Sequence, residues 1–440
     1  MEQFATRRAR FMERMGSGIA VIPAASLTVR NSDVDHEFRQ DSAFYYLTGF
    51  EEPDAVLVLR PGHSAPFTLF VPPRDKEKET WTGRRAGPEG AKDHYGADAA
   101  FPLDALDAEL AKLMEGADRL VYAVGSPLDR RVLKAMRHHR TMPRSGAIGP
   151  DLIVEPASIL DELRLRKSPD EIAALRQAAD ITSLGHREAM RVAAPGLWEY
   201  QVQAVMELSF RAHGSPRNGY PSIVAGGPNA TILHYNTNRM LLRGGDLLLI
   251  DAGAEHGYLT ADITRTFPVS GRFSGPQRDV YEVVLGAQKA SIATCVAGGS
   301  FQASHDRALE VLVEGMVALG LLAGDTKELI AAEAYKPYYM HRTSHWLGMD
   351  VHDAGVYRRG TEWRTLEPGM VLTVEPGLYI AEDAPVDERL RGIGVRIEDD
   401  VLITEAGPVV LTAMCPKELD DVERVCAEPS RFAPFLPLVA

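Results

Sequence analysis

Two patterns of apolar and polar positions divide the chain. Up to about residue 150, four short apolar runs, GIAVIPA (18–24), AVLVLRP (55–61), FTLFVPP (67–73) and RLVYAVG (119–125), are separated by polar or Gly/Pro-containing stretches. Their length and β-branched content predict buried strands. Helical spacing runs from Thr6 to Met15 and recurs at Leu103–Met114 and Asp129–His139. These elements predict an α/β unit over residues 1–155, followed through the turn-rich PRSGAIGPD (143–151) by a second unit over residues 156–440.

The second unit opens on a well-marked helix. Ser168 has the chemistry of an N-cap, Pro169 suits the first helical position, and Glu171 stands three residues after the cap. From Pro195 onward helices alternate with antiparallel strands rather than repeating βαβ, so the predicted class is α+β. APGLWEYQVQAVMELSF and AGGSFQASHDRALEVLVEG both run small residue, glycine, aromatic, then amphipathic helix, about 103 positions apart. A unit of two related halves would produce such an echo. The last fifteen residues, with three prolines, read as a packed or frayed tail.

Composition narrows the partners. A net charge of −13 argues against nucleic acid. No apolar stretch has the length of a membrane span, and the first residues lack the apolar segment of a secretory signal. Cys295, Cys415 and Cys426 follow neither a CxxC nor a disulfide-framework spacing, and suit free thiols in a cytoplasmic protein.

Charge also points to the chemistry. Asp251, Asp262, His345, Glu375 and Glu398 each lie at the end of, or within, an apolar run: LLLIDAG, ADITRTF, SHWLG, VLTVEPG and VRIEDD. Four carboxylates converging in an interior would repel and take up protons unless cations held them. Two divalent ions would cancel the four charges and use the imidazole as well, and the chemistry of such a site is hydrolysis by metal-activated water. If LLLIDAG and ADITRTF form a hairpin turning at His256-Gly257, Asp251 and Asp262 face each other directly. Beyond Glu375, Pro376-Gly377 ends its strand; Arg396, Glu398 and Asp400 share one face by the period of two. His341, His345 and His352 cluster in MHRTSHWLGMDVHD, and His234 sits in TILHYN. Imidazoles that are not ligands can steady a carbonyl oxyanion and exchange protons with a leaving amine, which makes His234, His341 and His352 candidates. One nitrogen among carboxylate oxygens favours Mn²⁺, with Co²⁺, Zn²⁺ or Fe²⁺ as alternatives. GGPN (226–229) and RGIG (391–394) lack the context of a phosphate loop, and neither HExxH nor GxSxG occurs.

At LIDAGAEHGYLTADITRTFPV, SHWLGMDVHD, VLTVEPGLYI and GIGVRIEDDVLIT the chain resembles the proline-specific metallopeptidases, above all the aminopeptidase P (Xaa-Pro aminopeptidase) family. FRQDSAFYYLTGFEEPDAVLVL resembles that family's amino-terminal domain, so the likeness covers nearly the whole chain. It implies a pseudo-twofold "pita-bread" catalytic domain behind a smaller α/β domain. It implies release of an N-terminal residue that precedes proline, by a hydroxide bridging two metal ions, usually Mn²⁺. Asp262 and Glu398 would bridge, Asp251 would serve one ion, and His345 and Glu375 the other. His234 and His352 match histidines that bind substrate and stabilise the transition state; His341, Arg396 and Tyr379 match groups around the centre. The resemblance further implies a homodimer or homotetramer, with Asp35 and Trp81 in segments that help close a neighbouring subunit's site. Arg342 and Thr343 depart from the small or apolar residues of close relatives, a change expected at the pocket rim. Prolidase, which cleaves Xaa-Pro dipeptides with the same ligands, is the nearest alternative. Methionine aminopeptidase ordinarily lacks the long amino-terminal domain, creatinase lacks the metals, and a non-catalytic peptide-binding protein on this scaffold would be expected to have lost ligands.

Overall fold

The computed structural model describes residues 2–141 and 146–436. The chain divides into two units between Leu163 and Arg164, inside the helix Ala157–Leu165.

In the amino-terminal unit, helix Glu2–Met15 buries Phe4, Phe11 and Met15 along one face. A six-stranded mixed sheet follows, in the spatial order 99–102, 67–71, 56–59, 19–23, 119–121, 152–154. Its four inner strands are the four apolar runs. The two outer ones, Ala99–Pro102 and Leu152–Val154, lie parallel to their neighbours at the sheet edges. The edge strands are less buried than the inner four: Ala99–Pro102 is half-buried throughout, and Leu152 and Ile153 are exposed. Helices Leu106–Met114 and Asp129–His138 supply Leu110, Leu113, Val132 and Met136 to the core beneath the sheet. Residues 143–145 of the expected linker lie outside the described residues; Leu152–Val154 follows it as a strand.

The carboxy-terminal unit is built twice from one plan. Helices Pro169–Val192 and Glu199–Ala212 precede an antiparallel sheet of Ile223–Gly226, Leu247–Ala252 and Ile263–Pro268. Helices Gly275–Ile292 and Phe301–Ala318 precede a second, of Val371–Val374, Asp399–Thr404 and Gly407–Val410. Each half starts on a capping box with proline in the first turn: Ser168 with Glu171, then Ser274 with Gln277. Each such cap contributes about 1 kcal/mol. Each second helix is tied at its start by an isolated bridge, Trp198 to Leu241 and Ser300 to Thr365. The echo at Trp198 and Phe301 is the trace of this duplication. One core spans both halves, with Val205, Leu248 and Phe267 from the first and Val284, Leu312 and Val395 from the second. The tail contributes too, since Phe432 and Leu436 pack against that core; residues 437–440 lie outside the described residues.

The first sheet meets the segment leading into the second, the strand Gly394–Arg396 paired with Gly377–Tyr379 and the residues after it, along a short seam. Thr266 Oγ1 donates to Arg396 O at 3.0 Å and accepts from Arg396 N at 3.2 Å, while Glu398 N donates to Thr264 O at 3.1 Å. This brings the ends carrying Asp251 and Asp262 against the ends carrying Glu375 and Glu398.

Candidate metal centre

Asp251 does not face Asp262. The ladder pairs Asp251 with Thr264, and farther out His256 with Leu259, so the two-residue turn is Gly257-Tyr258. Both turn residues have positive φ, 58° and 65°, the signature of a type I′ hairpin. A positive φ is uncommon for a bulky residue, and packing holds Tyr258 there: it is buried, with the Arg217 guanidinium 5.4 Å from its ring centre. The register is therefore two residues from the expected one, which leaves Asp251 and Asp262 diagonal rather than opposite. Diagonal neighbours on one face stand farther apart, which leaves room between two carboxylates.

Between them stands Tyr220, which the sequence reading missed. Its hydroxyl lies 2.7 Å from Asp251 Oδ1 and 2.5 Å from Asp262 Oδ1. Burial, then Asp251 and Asp262, push the phenol well above its usual acidity range, so it stays a neutral donor. Gly253 makes the crossing feasible. A Cβ there would meet Ala261 O at 1.8 Å and Tyr220 Cε1 at 3.0 Å.

Every predicted donor of the second half joins this pair. His345 Nε2 lies 3.4 Å from Asp262 Oδ2 and 3.3 Å from Glu375 Oε1. Its Nδ1 is 3.1 Å from Trp346 O, which fixes the proton there and leaves Nε2 as a ligand nitrogen. One donor atom each of Asp262, His345 and Glu398 lie within 4.8 Å of one another. Glu398 Oε2 accepts from Thr264 Oγ1 at 2.6 Å, but Glu398 Oε1 is buried with no partner among the described residues. A buried carboxylate oxygen in that condition is costly, and a cation is the partner its chemistry asks for.

The electrostatics agree. Asp262 is raised well above the usual carboxylate range by burial and then Asp251, and Glu398 by burial and then Asp262 and Glu375. Glu375 is raised to about 7, again by burial first, although His345 and Arg396 pull the other way. Arg396 is the one guanidinium buried at the centre among the described residues. It donates from Nη2 to Asp251 Oδ2 at 2.7 Å, from Nη1 to the Tyr379 hydroxyl at 3.2 Å and from Nε to Thr264 Oγ1 at 3.1 Å. One cation against four carboxylates leaves the cluster short of positive charge. The donors present thus fit divalent ions: hard oxygens, one imidazole and an orphaned oxygen.

The centre opens into a cavity of about 470 Å³, within the range of small-ligand pockets. Pro221, Ile223, Leu233 and Val351 give it an apolar wall, and His234, His341 and His352 line it. His352 packs edge-on to His345 with ring centres 4.4 Å apart. His341 Nε2 is 2.8 Å from the Tyr379 hydroxyl. Burial lowers His341 to about 3 and lowers His352 too, so both are neutral at neutral pH. Of the two departures, Arg342 lines the cavity, whereas Thr343 is fully buried. The Thr343 hydroxyl lies 2.6 Å from that of Tyr339 and 2.9 Å from His305 Nδ1, so it supports the wall from behind and forms no part of the rim. Asp35 and Trp81 belong to the amino-terminal unit, where both are exposed, Trp81 at 85%; neither lines this cavity.

Comparison with known proteins identifies the family. The profile of metallopeptidase family M24 matches residues 173–405, and that of the aminopeptidase P N-terminal domain matches residues 4–122. The chain is 43% identical to the Xaa-Pro aminopeptidase of Escherichia coli over 96% of its length and 97% of the relative's, and equally identical, with the same coverage, to that of Haemophilus influenzae. Among solved structures, an aminopeptidase of Pseudomonas aeruginosa is 48% identical, with a TM-score of 0.95 over 97% of this chain and 98% of the other. A Zn-substituted E. coli aminopeptidase P in complex with product is 42% identical, with a TM-score of 0.93 over 97% and 98%. The chain is a member of metallopeptidase family M24 and carries the amino-terminal domain characteristic of aminopeptidase P.

Proposed function

We propose that this enzyme is a metallo-aminopeptidase that releases the N-terminal residue from peptides with proline in second position. The observation that carries the reading is the convergence of Asp251, Asp262, His345, Glu375 and Glu398 on one cavity with too little positive charge to balance them. Near-complete coverage of the Xaa-Pro aminopeptidases, amino-terminal domain included, selects the substrate class.

Asp262 and Glu398 would each hold two ions, Asp251 one of them, and His345 and Glu375 the other. Carboxylate-rich ligation favours Mn²⁺ over softer ions. When bound, the ions supply an activated water and polarise the scissile carbonyl. The remaining steps belong to side chains. His234 and His352 flank the carbonyl, donate hydrogen bonds to its developing negative charge, and relay to the departing proline nitrogen the proton that the attacking water gives up. His341 and Tyr379 hold each other, and Arg396 fixes Asp251 and Tyr379, so the donors meet the substrate already oriented. The apolar wall of Pro221, Ile223, Leu233 and Val351 accepts the proline ring and excludes water from the leaving nitrogen. Asp35 and Trp81 serve as substrate contacts offered to a second copy in a homodimer or homotetramer. The setting is the cytoplasm, which suits three unpaired cysteines, and no helix of the described residues is long and apolar enough to cross a membrane.

The test is direct. The protein is dialysed against chelator, Mn²⁺ is restored, and Xaa-Pro, Xaa-Pro-Yaa and Xaa-Ala-Yaa peptides are compared. Mn²⁺-dependent cleavage of Xaa-Pro-Yaa is expected. Cleavage of the dipeptide alone would assign a prolidase, and no metal-dependent cleavage of any would remove the enzymatic reading.

A further inference from the structure

The cavity is lined by two guanidinium groups with very different surroundings. Arg396 is buried and fully engaged with Asp251, Tyr379 and Thr264. Arg342 is exposed, and no carboxylate among the described residues pairs with it. It is nevertheless held in place. Its guanidinium carbon lies 4.7 Å from the centre of the Trp363 ring, and its Nη2 donates to the amide oxygen of Gln302. The Gln302 amide nitrogen in turn donates to Asp306 Oδ1 at 2.6 Å, which orients the oxygen toward Arg342. A second guanidinium, that of Arg358, lies 5.4 Å from the same Trp363 ring. An aromatic face and a neutral amide position a guanidinium without cancelling its charge, and most of its donors stay available.

We propose that Arg342 recognises a carboxylate on the leaving side of the peptide, beyond the proline. This inference rests on the peptidase reading above and names what that pocket prefers. A short peptide carries a cation at its amino end and a carboxylate at its other end. Cleavage beside the amino end places that end at the cavity floor, and Arg342 at the wall attracts the carboxylate at the other. Guanidinium and carboxylate pair in a planar, two-pronged geometry, which a lysine ammonium does not reproduce. The carboxylate is either the terminal α-carboxylate of a short peptide or an acidic side chain following proline. Because the contact is remote from the bond that breaks, it acts on KM and leaves kcat alone.

The experiment uses the Mn²⁺-loaded enzyme and two substrate pairs: Xaa-Pro-Yaa as free acid against its amide, and Xaa-Pro-Asp amide against Xaa-Pro-Asn amide. In wild type, kcat/KM favours the charged member of at least one pair. In Arg342→Ala that preference falls about tenfold through KM, the scale of a partly exposed charge-assisted pair. Arg342→Lys retains only part of it. The pair that responds identifies the source of the carboxylate. An equal charged-to-neutral ratio in wild type and Arg342→Ala, for both pairs, overturns the assignment while leaving the peptidase reading intact. Wild-type enzyme that cleaves none of the four peptides overturns both.

Discussion

Glu398 and Asp399 are chain neighbours, equally hidden from solvent, and their acidities move in opposite directions. Asp399 accepts from Arg265 at 2.7 Å, Lys417 at 2.5 Å, Gln288 at 2.7 Å and Thr412 at 2.7 Å. Burial works against its ionisation, but Arg265 and Lys417 outweigh it and hold the group at about 2. Glu398 points to the other face, toward Asp262, Glu375 and Asp251, with one oxygen unpartnered, and is raised well above its usual range. Burial is common to both, so burial identifies neither. Local charge balance separates them. A cluster closed within the chain, such as Asp399 with Arg265 and Lys417, or Asp353 with Arg164 and Lys167, is part of the scaffold. A cluster that the chain leaves short of positive charge is a site for ions from outside.

Substitution at either member of this pair should break a different property. Glu398→Gln removes a ligand while keeping shape, and turnover should fall by about a thousandfold or more, since changes one shell farther out already cost about 10–100-fold. Steady-state rates with metal counted on the same sample will check this. Asp399→Asn leaves Arg265 and Lys417 under-compensated and should cost about 3 kcal/mol of stability, read from urea unfolding, with metal content per folded chain retained.

Metal removal sharpens the contrast through pH. In the metal-free protein Asp262, Glu375 and Glu398 have folded-state pKa values above those of the unfolded chain. The folded form therefore keeps protons that the unfolded form has released, and its stability falls as pH rises through about 7, the value of Glu375. Bound ions displace those protons. The stability gap between loaded and chelated protein should widen from pH 5 to pH 7 by roughly 1.4 kcal/mol per pH unit for each proton displaced. Thermal unfolding at both pH values measures it, and a gap independent of pH would contradict this charge accounting. A smaller effect is expected from Tyr220→Phe, which should weaken metal affinity about tenfold as the loss of one supporting donor. Competition with a chelating dye reads that change. Smallest of all, Ser168→Ala should lower stability by about 1 kcal/mol through its cap and leave metal affinity unaltered.

The four inner strands of the amino-terminal sheet and the helix start at Ser168 were legible because each depends on a run or spacing within a few residues. Acid and histidine positions at strand ends were legible for the same reason. What failed was register. Gly257 was seen as a turn residue, but the left-handed conformation of Tyr258 depends on packing by Arg217 from another strand, which no local pattern announces. The error moved Asp251 from Asp262 to Thr264. Tyr220 and Thr264 were invisible for a related reason. A single tyrosine in NGYPS or threonine in ADITRTF has no distinctive spacing, and each meets its partners only through the fold: Tyr220 meets Asp251 and Asp262 within the first half, and Thr264 meets Glu398 across the seam. The second capping box, Ser274 with Gln277, was present as a signal matching Ser168 with Glu171 and would have strengthened the case for duplicated halves.

The central claim is that the open cluster is completed by cations, and metal stoichiometry tests it most directly. Chelated protein is equilibrated with Mn²⁺, freed of excess by dialysis, and its metal measured by atomic spectroscopy beside Glu398→Gln and Asp399→Asn. The account predicts about two ions per chain in wild type and Asp399→Asn, and fewer in Glu398→Gln. Wild-type protein that retains none, or Glu398→Gln that retains as many as wild type, would contradict it.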